Sequence, residues 1–355
     1  MPAPSADRDS DATRDDVTVP RPTTDFGAPE STFHQTRSRA GRYLGPTARV
    51  LMRPLLEYAP LTRWTLAHAY LSDLLGVALP LPEGATARHR GFGDVDAELV
   101  TGPDVSERGS QIVLYFHGGA FIGGGLRTHR RLVSRISSAA GTPVLHVKYR
   151  QLPEATLAQT VDDCLHVYQG LLADGHPPDS IVFAGDSAGG YLAFAVAHRA
   201  MADGLPVPAG IATLSPWIDL ACRHNTAHPN ARTDPYIPIK KFAQIGRLLA
   251  PTDDPLLGLL DADLTGMPPT LIQVGSGEVL RSDAEWMATR LAESGVECAL
   301  QIWDRQVHVF QAAADVLPEG RAAIADIGLF LRDRLFRGQR SGRQRAEFST
   351  EKRTT

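Results

Sequence analysis

Ser187 stands in Gly185-Asp186-Ser187-Ala188-Gly189, a G-x-S-x-G pattern that directly follows the apolar run at 181–184 and opens a helical run near Gly190. A sharp strand-to-helix turn forces such a serine into a strained backbone and lifts its hydroxyl clear of the sheet. Side chains at the two flanking glycine positions would collide in so tight a turn. The helix that follows aims its free N–H groups at developing negative charge. This is the setting of an acyl-transfer nucleophile rather than of an ordinary serine in a glycine-rich turn.

Acyl transfer creates a tetrahedral oxyanion, which preorganised donors must meet. His117-Gly118-Gly119-Ala120-Phe121 follows the apolar run at 112–116, 70 residues before Ser187. Adjacent glycines bring the backbone close, so the N–H groups of Gly118 and Gly119 are the expected donors, with Ala188 as the third. No Gly-x-Gly-x-x-Gly or Walker lysine follows, which removes a phosphate-cradle reading.

A serine hydroxyl also needs a histidine to take its proton and a carboxylate to fix that histidine's tautomer. Of 12 histidines four lie after Ser187: His198 inside the helical run at 190–203, and His224, His228 and His308 beyond it. His224 and His228 are four apart, but Pro229 and polar surroundings oppose a ligand-bearing helix, so no metal site is expected. His308 follows the run at 299–303 by a short loop and is the expected base. Glu278 stands just past the run at 270–274, at a strand's C-terminal end, where sites gather in open parallel sheets. Asp283, five residues on and in the next helix, is the alternative acid. Asp219 reads as structural or cap-facing.

These residues need a scaffold. Short apolar runs at 112–116, 144–147, 181–184, 270–274 and 299–303 alternate with helical candidates at 130–140, 158–173, 190–203 and 282–294. Buried strands alternating with helices imply an α/β fold, a mainly parallel sheet covered on both faces. The proline-rich segment 219–254 breaks the rhythm around one helical patch at 239–249 and reads as an insertion. Between 31 and 82 the pattern is helical, with Trp64, Ala67, Leu71, Leu74 and Leu75 on one stripe. Arg37, Arg39, Arg42, Arg49 and Arg53 surround Leu44, Leu51 and Leu55 before it. That segment reads as cover for the neighbouring domain with its arginines in water, and membrane association is not expected. The organisation is then an acidic disordered tail (1–30), a helical cap segment (31–90), a catalytic domain (91–336, cap insertion about 219–254) and a basic disordered tail (337–355).

Composition agrees with a soluble enzyme. The hydrophobic fraction is 43%, and 36 basic against 40 acidic residues give a net charge of −4, which offers no electrostatic reason for nucleic-acid binding. Cys164, Cys222 and Cys298 are too far apart for a disulfide framework or a Cys-x-x-Cys metal site. Seven acids in the first 30 residues occupy the place of a secretory apolar segment, so a cytoplasmic location is expected.

Over residues 91–335 the chain resembles the bacterial hormone-sensitive lipase-like (family IV) esterases of the α/β-hydrolase fold. The resemblance rests on the His117-Gly118-Gly119 block, the Gly185-Asp186-Ser187-Ala188-Gly189-Gly190 elbow and Leu214-Ser215-Pro216-Trp217. It extends to Asp254-Pro255-Leu256-Leu257, Met267-Pro268-Pro269-Thr270 and Val307-His308-Val309-Phe310. It implies a Ser187–His308–Glu278 triad, no metal or organic cofactor, and a cap built from N-terminal helices plus the insertion. It further implies a carboxylic ester hydrolase acting on short- or medium-chain or small-metabolite acyl esters. Departures are Gln151-Leu152 in the Tyr149–Glu154 segment, Glu278 for the usual Asp, Val279 for Pro, and Tyr191 where the family often has Asn. Phe121, Tyr191 and Trp217 are candidate substrate contacts; Tyr191 either narrows the acyl pocket or packs between sheet and helix. The alternatives are a dedicated amide or acetyl hydrolase of a small metabolite and a non-catalytic ligand-binding relative. The expected partner is a small-molecule ester, with a homodimer as the one assembly considered.

Overall fold

The buried apolar runs become the centre of one sheet. In the computed structural model, which describes residues 29–78 and 80–351, strands β4 (Ile112–Phe116), β6 (Ile181–Asp186) and β8 (Thr270–Gly275) are buried at every position. The remaining strands are β1 (Glu30–His34), β2 (Thr86–Phe92), β3 (Val95–Thr101), β5 (Val144–Lys148), β7 (Ile211–Leu214) and β9 (Cys298–Trp303). The sheet order is β1-β9-β8-β7-β6-β4-β5-β3-β2, parallel except where β3 meets β2 and β5. Such a sheet needs helices on both faces, and the period of two sorts its side chains accordingly. Ile112, Leu114, Phe116, Ile181 and Phe183 pack on one side with α4 (Leu157–Ala173), α5 (Ala188–Ala202), α6 (Ile239–Leu249) and α7 (Arg281–Glu293). Val113, Tyr115, Val182 and Ala184 pack on the other with α3 (Leu126–Ala140) and α8 (Pro318–Glu351).

Three boundaries differ from the sequence reading. Residues 31–90 are not wholly a helical cap, because β1 joins the sheet in parallel register with β9 and the β2–β3 hairpin begins at Thr86. Both strands are polar and largely exposed, so neither carries an apolar signature. Pairing with distant residues makes them, helped at β1 by His34 stacking on Trp303 at 4.1 Å. The expected C-terminal tail continues α8 as far as Glu351. Arg, Gln, Glu and Ala are good helix formers and extend a helix already anchored by Ile324, Ile327, Leu331 and Leu335. Of the expected acidic tail, residues 1–28 lie outside the described residues.

The other N-terminal elements are α1 (Arg39–Tyr58), α2 (Arg63–His68) and a 3-10 segment, Ala69–Ala78, so the helix expected around Trp64–Leu75 is split in two. Glu319 ties this region down by accepting from the N–H groups of Arg37 and Ser38 at 3.0 and 2.8 Å. No helix among the described residues is long and apolar enough to cross a membrane.

Candidate active site

Ser187 occupies the single residue between β6 and α5 with φ 52° and ψ −118°. A positive φ on a non-glycine residue costs about 1–3 kcal/mol and survives only where the surroundings fix it. Here they do: the Ser187 N–H donates to the Leu214 carbonyl at 2.9 Å, and its own carbonyl accepts from Trp217 and Tyr191 N–H at 3.0 and 3.2 Å. The flanking glycines are steric necessities. A Cβ on Gly185 would run into the Gly189 carbonyl, and one on Gly189 into the Phe116 carbonyl.

The end of β7 gathers the rest. Glu278 lies three residues past β8, fully buried, and its Oε2 is 2.9 Å from His308 Nδ1. Its Oε1 accepts from Ser215 Oγ at 2.7 Å and from the Gly275 N–H at 2.6 Å. Ser215 Oγ in turn accepts from the Val309 N–H at 3.2 Å. The segment 214–217 thus holds Ser187, Glu278 and the histidine loop at once. The insertion grips the same loop: Asn230 Nδ2 donates to the Ser276 and Glu278 carbonyls, and Asp234 Oδ2 accepts from the Val279 N–H at 2.6 Å. Ser215, Asn230 and Asp234 were not expected. Ser215 sits in a motif already noticed, whereas no spacing marks the other two.

Asp283 is not the partner of His308. It is buried and accepts from the Ile218 and Asp219 N–H groups at 2.6 and 2.9 Å and from the Asn225 amide, so it stitches the insertion's start to α7. Burial pushes its pKa up to about 7, with Asp219 adding to the rise and the backbone donors opposing it. His224 and His228 belong to short 3-10 turns of the insertion, and no metal-holding group of three ligands occurs among the described residues.

The glycine loop corrects one expected donor. The Gly118 N–H points back to Asp186 Oδ1 at 3.0 Å, so it does not serve an oxyanion. Asp186, the residue before the nucleophile, also accepts from Tyr115 OH at 2.7 Å and lies 3.4 Å from His129 Nε2. Beyond Gly118 the chain turns back tightly: Ala120 and Phe121 have φ 53° and 59°, and the Ile122 and Gly123 N–H groups both donate to the Gly119 carbonyl at 3.0 Å. Among the described residues, no protein acceptor takes the N–H of Gly119, Ala120 or Ala188.

Behind this loop His117, His129 and His146 pack within 5.3–6.1 Å of one another. Burial pushes His117 down to about 4 and His146 well below the usual histidine range, with the neighbouring rings adding to both. Burial also opposes charge on His129, but the Asp186 carboxylate outweighs it and raises that pKa. Asp186 is correspondingly held below the ordinary carboxylate range despite its burial. One buried ion pair therefore braces the loop. A cavity of about 490 Å³ lined by Asp73, His117, Gly124 and Tyr149 adjoins it but does not include Ser187, Glu278 or His308.

Phe121, Tyr191 and Trp217 do not offer surface to a substrate. All three are fully buried, with Phe121 5.9 and 6.1 Å from the other two rings, and Tyr191 OH donates to the Leu256 carbonyl at 2.6 Å. Tyr191 is thus a core residue tied to the 3-10 segment Pro255–Asp261 and does not narrow an open pocket. Bulky rings with satisfied polar tips are core residues before they are contacts.

Comparison with known proteins gives the family and the fold. A family profile described as the alpha/beta hydrolase fold matches residues 113–312. The chain is 35% identical over 332 residues to the carboxylesterase/phospholipase LipF of Mycobacterium tuberculosis, covering 86% of this chain and 85% of that protein. It is 40% identical over 225 residues to an acetyl-hydrolase of Streptomyces hygroscopicus, covering 62% and 75%. A crystal structure of an esterase from the bacterial hormone-sensitive lipase family superposes with a TM-score of 0.76 at 35% identity, covering 84% of this chain and 99% of that one. The chain belongs to the bacterial hormone-sensitive lipase-like esterases, carboxylic ester hydrolases of the α/β-hydrolase fold.

Proposed function

We propose that the protein hydrolyses short- or medium-chain acyl esters of small molecules, with Ser187 as nucleophile, His308 as general base and Glu278 as the residue that orients it. Ser187 Oγ attacks the acyl carbonyl while His308 Nε2 takes its proton. Glu278 accepts from Nδ1–H, which fixes the tautomer and stabilises the imidazolium. The N–H groups of Gly119, Ala120 and Ala188 meet the oxyanion. Collapse breaks the ester C–O bond, His308 protonates the departing alcohol, and water then attacks the acyl-enzyme by the same proton path to release the acid. The observation that carries this reading is the junction at 214–217, which binds the strained Ser187 elbow, Glu278 and the His308 loop to one strand end.

A p-nitrophenyl ester series from acetate to palmitate, run beside Ser187→Ala, tests it. Turnover of the shorter esters that disappears in the variant is expected; turnover that survives the variant would refute the serine mechanism. A second reading, a hydrolase dedicated to acetyl groups on a small metabolite, is supported by the name of the Streptomyces relative. Acetate as the one ester cleaved would favour it. A cytoplasmic location completes the proposal. It is supported by Cys164, Cys222 and Cys298, all free and buried, as suits a reducing compartment. Recovery of the activity from lysed cells and not from the culture medium would check it.

A further inference from the structure

The N-terminal helices carry a surface that neither the fold nor ester hydrolysis explains. At 100° per residue α1 has three stripes. Gly41, Gly45 and Ala48 face the body and are buried. Arg39, Arg42, Arg49 and Arg53 share a second stripe. Tyr43, Val50, Leu51, Leu55 and Tyr58 form the third, each 60–80% exposed. The apolar exposure continues along the chain through Trp64 at 69%, Leu75 at 74% and Val77 at 67%. An exposed apolar surface of this extent marks a contact site.

Charge selects what covers it. Residues 37–63 hold six arginines against one acid, Glu57, in a chain whose net charge is −4. Arg49 and Arg53 are engaged with carbonyls of the insertion at Thr233, Asp234 and Ile237. Among the described residues, no acid pairs with Arg39, Arg42 or Arg63. A second copy docked face to face would double the positive charge within one interface, whereas anionic headgroups would neutralise it. Tyr43, Tyr58 and Trp64 are the amphipathic rings that settle at a bilayer interface.

The location fits as well. Ala48 packs with Val307 and Phe310, on either side of His308. Ser72 Oγ accepts from the Gly124 N–H at 3.0 Å, and Asp73 Oδ1 caps α3 by accepting from Arg127 and Thr128 N–H at 2.8 and 2.9 Å. The exposed face therefore rides on the two loops that carry the histidine and the oxyanion donors.

We propose that the apolar face of residues 39–78 docks on an anionic bilayer surface, with its arginine rim on the headgroups and the His308 and glycine loops brought to the interface. Membrane association was not expected from the sequence; the exposure of α1's third stripe is what changes that. Docking does not depend on hydrolysis, so the test uses the Ser187→Ala protein. Its co-sedimentation is measured with vesicles of phosphatidylcholine and phosphatidylglycerol in equal parts and with phosphatidylcholine alone. Pelleting with the anionic vesicles is expected. Removing three exposed arginines (Arg39→Gln, Arg42→Gln, Arg63→Gln) should weaken it about a hundredfold, at roughly fivefold per arginine. The exposed triple change Leu51→Ser, Leu55→Ser, Tyr58→Ser should abolish it while leaving the melting temperature unchanged. Protein that stays in the supernatant, or pellets equally well in both variants, overturns the proposal. So does a dimer by light scattering that the apolar triple change converts to monomer without any vesicle binding.

Discussion

Replacing Glu278 by Gln isolates the acid's function from its packing. The carboxylate is fully buried and makes three bonds, two from donors at Oε1 (Ser215 Oγ, Gly275 N–H) and one to His308 Nδ1 at Oε2. A glutamine has the same shape but only one accepting oxygen. Turning its NH₂ toward Ser215 and Gly275 would leave buried donors facing a donor, at about 1–3 kcal/mol each. Turning it toward His308 costs one such clash, which the imidazole relieves by moving its proton from Nδ1 to Nε2. The second arrangement wins. A ring protonated at Nε2 cannot accept the Ser187 proton, so kcat should fall about 10⁴-fold with little change in KM. That is about 5.4 kcal/mol of transition-state stabilisation at 1.36 kcal/mol per decade. The assay is p-nitrophenyl butyrate turnover, with the rate of fluorophosphonate labelling as a second readout and thermal melting as the control for folding. A Glu278→Gln protein that folds normally and keeps more than about a tenth of its activity would refute the tautomer argument.

Ser215→Ala removes a donor to Glu278 and an acceptor for the Val309 N–H; melting should show a loss of about 1–3 kcal/mol, with kcat reduced more than KM is raised. Asp186→Asn should alter the pH dependence of stability. The His129 pKa is raised, so its pairing is fully present below its ordinary value and lost as pH climbs through the raised one. The Asp186 pKa is lowered, so its share is present above the ordinary carboxylate range and lost on acidification through the depressed value. Melting temperature should plateau between these limits in the native protein, and both flanks should flatten in the variant; unchanged flanks would count against the ion pair. Trp217→Ala empties a fully buried site and should cost about 3–5 kcal/mol by denaturant titration. His228→Ala, in a partly exposed turn, should leave turnover of the same ester unchanged.

Legibility followed the physics of each signal. The strands at 112–116 and 181–184 announce themselves because both faces are buried and every residue is apolar. The elbow is equally plain, since its two glycines leave a fixed spacing around the serine, although the carbonyl that imposes Gly189 belongs to Phe116 on another strand. By contrast β1 and β2 are polar edge strands whose structure comes from partners far along the chain. The Gly118 error has the same origin. Adjacent glycines reveal that the backbone comes close to something, but which N–H faces the substrate depends on Asp186, 68 residues away. Glu278 was separable from Asp283 by position at a strand end, while Asn230 and Asp234, which hold its loop, act through backbone groups and leave no pattern to read.

The central claim is that Ser187 is a nucleophile activated by His308. Mass spectrometry of the protein after fluorophosphonate treatment, with peptide mapping, tests it most directly. The account predicts a single adduct on the peptide containing Ser187, lost in Ser187→Ala and formed far more slowly in His308→Ala. An adduct on another residue, or labelling of Ser187 at an undiminished rate without His308, would contradict it.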